Sequence, residues 1–139
     1  MNNLEKSKEI LRDGNYTLVA VSDTETLTST DRGVKPLLEF IDDNKTLDKF
    51  SVADKVIGKA GALLYVLLQP SEIFTNVISR PALELLESNN IHIEYNVLTD
   101  AIINRTGTGF CPMESTVRDT ADPVTALSLI REKLKSLTK

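Results

Sequence analysis

Ser51-Val-Ala-Asp-Lys-Val-Ile-Gly-Lys-Ala-Gly-Ala-Leu-Leu64 leads into the longest apolar run of this 139-residue chain, Val56 to Leu68. Ser51 with Asp54 three residues later has the form of a variant capping box, in which side chains satisfy the first N–H groups of a helix. Val56, Ile57, Ala60, Ala62, Leu63, Leu64, Val66 and Leu67 then follow with little polar interruption. The spacing predicts one helix over about 52–68. A helix that is apolar nearly all round has to be covered on most sides, so this one is expected at the centre of the fold.

Shorter patterns surround it. Leu4 to Arg12 reads as a helix stopped by Gly14, and Tyr16–Val21 and Thr26–Thr30 as strands of a hairpin around Asp23-Thr24-Glu25. Pro36, which suits a first helical turn, opens a helix to about Asp43. Beyond the central run, Ile73–Ile78 reads as a buried strand and Pro81–Glu87 as a helix with Ser79 as its cap. Ile91, Ile93, Tyr95 and Val97 alternate with His92, Glu94 and Asn96 as in a half-buried strand. Asp122-Pro123 opens a last helix, with Lys133, Lys135 and Lys139 favouring its C-terminal end. Helix and strand patterns at these intervals imply one layered α/β or α+β domain.

Composition narrows the function classes. One compact domain accounts for the length. With 41% hydrophobic and 26% charged residues there is no case for disorder. A net charge of −4, three Tyr, four Phe and no Trp argue against phosphate-backbone binding and base stacking, so no nucleic-acid partner is expected. The N-terminus has no secretory pattern. The run 56–68 is interrupted by Lys59 and falls short of the ~20 residues that span a bilayer. With Cys111 as the one cysteine, no intrachain disulfide can form, and a cytoplasmic protein is the expectation.

One segment looks like a site. Asn104-Arg-Thr-Gly-Thr-Gly-Phe-Cys-Pro-Met-Glu114 places Gly107 and Gly109 where backbone can approach a ligand closely. Pro112 fits a first helical turn, which puts Cys111 at or near the N-cap. A helix N-terminus binds anions and lowers a thiol pKa, and Arg105 acts in the same direction. The plain alternative is a Gly-Thr connector with a small buried cysteine. The second candidate is the start of the central run, where Asp54, Lys55 and Lys59 carry charge. Lys55 and Lys59, four apart, would share a helix face. Capping alone explains Asp54, and solvent exposure alone explains the lysines. His92 has no second histidine to form a metal pair and reads as an exposed polar residue.

Taken together, Ser51–Leu64 and Cys111-Pro-Met-Glu114 resemble the two halves of a cytidine deaminase-like site, in which two helix starts meet around zinc. The whole chain also resembles a group of small prokaryotic proteins, domain-of-unknown-function family 1893. Its marks here are Ala53-Asp54-Lys55 leading into Gly58-Lys59-Ala60, and Thr106-Gly107-Thr108-Gly109 leading into Cys111-Pro112-Met113-Glu114. The resemblance implies a three-layer αβα domain with a mixed sheet, and carries no established activity.

The departures from zinc deaminases exclude their chemistry. The resemblance puts Asp54 where the first ligand would be His, Val56 where the catalytic Glu would be, and Glu114 at a thiolate position. With one cysteine the ligand set cannot be assembled, and an Asp54, Cys111, Glu114 site would hold zinc weakly and lack a proton shuttle. No metal and no cofactor are therefore expected. Three readings stay open. The first is a pocket between the two helix starts that binds a small anionic molecule, for which a nucleotide is the fold analogy. Asp54, Lys55, Lys59, Arg105, Thr106, Gly107, Thr108 and Gly109 would line it. The second is an enzyme with Cys111 as nucleophile, Lys55 or Arg105 stabilising charge and Glu114 or Asp54 moving protons. The third is a structural or interaction protein with a relic pocket. A symmetric homodimer is the default assembly.

Overall fold

The computed structural model describes residues 2–31, 33–100 and 112–137. Its elements run α1 (Asn3–Asp13), β1 (Leu18–Val21), β2 (Thr26–Ser29), α2 (Lys35–Asp42), β3 (Ser51–Ile57), α3 (Lys59–Leu68), β4 (Glu72–Ser79), α4 (Arg80–Ser88), β5 (His92–Thr99), α5 (Pro112–Thr116) and α6 (Pro123–Leu137). The five strands form one mixed sheet in the order β2-β1-β3-β4-β5. β1 pairs antiparallel with β2 and β3, while β3, β4 and β5 run parallel.

The sequence-predicted central helix over 52–68 is corrected here: it is a strand followed by a shorter helix. Val52, Val56 and Ile57 are β-branched and suit a pleated surface. Val52 and Ala53 pair with Ala20 and Val19 on one side and with Ile73 and Phe74 on the other. Val52 and Ala53, paired on both edges and buried on opposite faces, are apolar without alternation and so resemble a buried helix, whereas Lys55 and Val56 further along are exposed. Gly58 ends the strand and stands at the N-cap of α3. The expected Ser51/Asp54 capping box does not exist, since both residues lie in β3. The Ser51 hydroxyl instead donates to Glu72 Oε2 at 2.7 Å.

α1 covers one face of the sheet, where Leu4 and Leu11 meet Val19, Val21, Ala53 and Phe74. The other face carries the main core. There Leu18, Ala20, Val52, Ile73 and Ile78 pack under Leu37 of α2, Leu63 and Leu64 of α3, Leu86 of α4 and Ile130 of α6. This gives the three layers, with the central role kept by α3, whose residues 60–65 are all buried. Three caps stand where the sequence put them. Gly14 closes α1 with its N–H donated to Ile10 O, Ser79 accepts from Ala82 N, and Asp122 accepts from Thr125 N at 2.9 Å.

β5 departs from the half-buried pattern. Ile91 is buried and Ile93 partly so, but Tyr95 and Val97 are 40% and 52% exposed. β5 ends the sheet order among the described residues, so packing under the helices stops short of its second half.

Candidate functional site

The start of α3 depends on two residues far apart in sequence. Gly58 offers no side-chain cap, and the first N–H groups of the helix need acceptors. Glu114 on α5 supplies them: Oε1 accepts from Lys59 N at 2.5 Å and Oε2 from Ala60 N at 2.8 Å. A Cβ at position 58 would collide with that carboxylate, so glycine is what leaves room for it at the helix start. Lys59 adds a second tie, its Nζ donating to Arg118 O at 2.8 Å. Burial raises the Glu114 pKa, opposed by the Ala60 and Lys59 N–H groups and by the Lys59 charge. The anion-binding end of the helix is thus filled by the protein's own carboxylate.

Asp54 sits elsewhere. It lies within β3 and accepts from the Tyr65 hydroxyl of α3 at 2.6 Å. Tyr65 is fully buried and Asp54 largely so. Burial raises the Asp54 pKa to about 7, against the pull of the Tyr65 hydroxyl and the Val56 and Lys55 N–H groups. The Tyr65 phenol is pushed well above its usual value, by burial first and by the Asp54 charge second.

Lys55 goes to the opposite face of the sheet, because neighbouring residues of a strand point to opposite sides. It therefore shares no helix face with Lys59, and the expected grouping of Asp54, Lys55 and Lys59 at one helix mouth is corrected. The structure brings Lys59 and Glu114 together and sends Asp54 and Lys55 to two other places. Arg105, Thr106, Gly107, Thr108, Gly109 and Cys111 lie outside the described residues.

On the α1 face, Lys55 opens onto a groove of about 550 Å³. Lys8 and Arg12 reach it from one side of α1, Asn15 from the connection to β1, and Asn76 and Asn96 from β4 and β5. Phe74 forms its floor, with Lys8 Nζ 4.6 Å from the ring centroid. Lys8 is 3.7 Å from Glu94, and Arg12 lies 3.2 Å from its neighbour Asp13, in largely solvent-exposed pairs that contribute little. Lys55 has no ion pair among the described residues. Lys8 and Arg12, four apart on α1, were the sequence signal for this groove. Nothing in the sequence places α1 over Lys55, so the groove is not legible there.

A second hollow, about 320 Å³, lies between β2 and α2 and carries Asp31 and Glu39 with Tyr16 and Phe40. Among the described residues, no three His, Cys, Asp or Glu side chains gather as metal ligands. His92 is exposed, with Nε2 3.4 Å from Glu94. No helix among the described residues is long and apolar enough to cross a membrane.

Among the described residues, a five-stranded mixed sheet between a single helix and a multi-helix layer defines an α/β domain. The chain belongs to the family described as TM1506, domain of unknown function (DUF1893), whose model matches residues 6–134. It is similar to the crystal structure of a DUF1893 family protein (TM1506) from Thermotoga maritima, at 29% identity and a TM-score of 0.87. That match covers 96% of this chain and 91% of the other. No curated protein matches the chain.

Proposed function

We propose that this protein is a non-deaminating member of the cytidine deaminase-like fold that binds a small anionic molecule in the groove on its α1 face. The observation that carries the proposal is the convergence of Lys8, Arg12 and Lys55 on one groove of a chain whose net charge is −4. Cations gathered against an acidic background, with asparagine amides beside them, are the chemistry that holds a phosphate or carboxylate group.

The deaminase-like reading draws support from the order β3, Gly58, α3 and from α5 lying against the start of α3. It also needs a correction of register. The helix opens at Lys59, so the residues at its start are Gly58, Lys59 and Ala60 rather than Asp54 and Val56. Neither Gly58 nor Ala60 can ligate zinc or carry a proton, which argues against deamination more strongly than the sequence did. Glu114 also argues against an anion at this helix start, since a ligand would have to displace it from both N–H groups.

Thermal melting with inorganic pyrophosphate, at concentrations up to one hundred times its dissociation constant, tests the reading. Saturation to that degree stabilises the native state by about 2.7 kcal/mol. At roughly 3 °C per kcal/mol this is about 8 °C. Arg12→Ala with Lys55→Ala should abolish the gain, and Lys59→Ala should keep it. The reading fails if no anion in a phosphate and carboxylate series raises the melting temperature, or if the double variant responds like the wild type.

A further inference from the structure

We infer that the ligand of the α1-face groove carries, besides its anionic group, a planar amide-type edge (a C=O beside an N–H), read by Asn76 and Asn96. The inference rests on the anion-binding reading above and adds the second half of the ligand.

The pairing of the strands aligns the three side chains. β3 pairs with β4 at a constant offset of 21 residues, as in Asp54 with Thr75 and Val56 with Val77. β4 pairs with β5 at an offset of 20, as in Thr75 with Tyr95 and Val77 with Val97. Lys55, Asn76 and Asn96 therefore form a straight row across three parallel strands, and all three line the groove. Strands lie about 4.8 Å apart, so the row is about 10 Å long from the lysine to the last asparagine. All three residues are exposed.

The two asparagines are joined, with Asn96 Nδ2 donating to Asn76 Oδ1 at 3.0 Å. That bond uses one donor and one acceptor and fixes the orientation of both amides. It leaves the Asn76 Nδ2 group as donor and Asn96 Oδ1 as acceptor, neither with another hydrogen bond among the described residues. A donor and an acceptor side by side complement a planar group that offers an acceptor and a donor in return. At the other end of the row, Lys55 and Arg12 take the charge. Two sources share this chemistry: a nucleotide whose base has a keto-amide edge, and a short acylated peptide ending in a carboxylate.

Isothermal titration of the full chain separates them. Ribose 5-phosphate and uridine 5′-monophosphate form one pair of probes, acetate and N-acetylglycylglycine the other. The amide-bearing member of at least one pair should bind about tenfold tighter, the worth of one or two hydrogen bonds. Asn76→Ala with Asn96→Ala should remove that advantage and leave the amide-free probe unchanged. Asn96→Ala alone, an exposed residue of β5, should remove part of it and guards against a folding defect in the double variant. Which pair shows the advantage identifies the source. Equal affinity within both pairs, or an advantage that survives the double variant, overturns the inference while leaving anion binding intact. Absence of binding by all four probes overturns the inference, and if pyrophosphate also leaves the melting temperature unchanged, anion binding falls with it.

Discussion

Asp54→Asn should stabilise the protein at pH 8 and do nothing of the kind at pH 4.5. Burial lifts the Asp54 pKa from its usual 3.8 to about 7. The native state therefore holds a proton that the unfolded chain has released across this interval, and stability falls as pH rises through it. Below about 4 the carboxyl is neutral in both states and imposes no penalty. Above about 7 it is charged in both, and the native state bears the whole cost. At 1.36 kcal/mol per pH unit the interval is worth at most about 4 kcal/mol. Asp54 keeps some solvent contact, and halving that figure for screening leaves about 2 kcal/mol. Asparagine is nearly isosteric, stays neutral, and can still accept from the Tyr65 hydroxyl. Urea denaturation of both proteins at pH 4.5, 6 and 8 reads the difference, with all other titrating groups cancelling between wild type and variant. The variant should gain about 2 kcal/mol relative to wild type between pH 4.5 and 8. A gap that stays constant within 0.5 kcal/mol, or an asparagine variant that weakens as pH rises, would refute the reasoning, since ~0.5 kcal/mol is what an ordinary surface change produces.

Three further outcomes follow from the contacts of α3. Tyr65→Phe removes the hydroxyl that donates to Asp54 at 2.6 Å, and should cost about 1–3 kcal/mol at pH 8 and less at pH 5, where the carboxyl is neutral, as measured by the same denaturation series. Glu114→Ala leaves the Lys59 and Ala60 N–H groups without their acceptor, so it should cost about 1–2 kcal/mol, and Glu114→Gln, which retains one acceptor, about half as much. Gly58→Ala should cost more than a helix-cap change ordinarily does, because its Cβ meets the Glu114 carboxylate. In the double variant with Glu114→Ala that clash is gone. A double-mutant cycle should show a coupling of at least about 1 kcal/mol, and strict additivity would mean that the two residues do not touch.

Much of the architecture was legible because it follows from local chemistry. Gly14, Pro36, Ser79 and Asp122 mark helix ends through groups within four residues of themselves, and the hairpin around Asp23-Thr24-Glu25 is equally local. At Val52 and Ala53 a strand buried on both faces and a helix buried all round look alike in apolar content, which hides β3. Gly58, taken as an interior residue of one long helix, was the true boundary. In β5 the alternation was real, yet Tyr95 and Val97 stay exposed because no local signal says where the covering layer stops.

The site depended on that one boundary. Had the helix begun at Val52, Lys55 and Lys59 would lie one turn apart and face a common pocket with Asp54. With the boundary at Gly58, period two replaces period 3.6 over residues 51–57, and the three charges part company. Asp54 turns to the phenol of Tyr65, Lys55 to the asparagines of β4 and β5, and Lys59 to the Arg118 carbonyl. Glu114, chosen from sequence as a proton carrier, has both oxygens committed to the backbone of α3. A carboxylate so held fastens α5 to the start of α3. The face proposed to bind an anion is left to Lys55, the one lysine that the corrected strand turns outward, and Lys8 and Arg12 are the residues α1 brings to meet it.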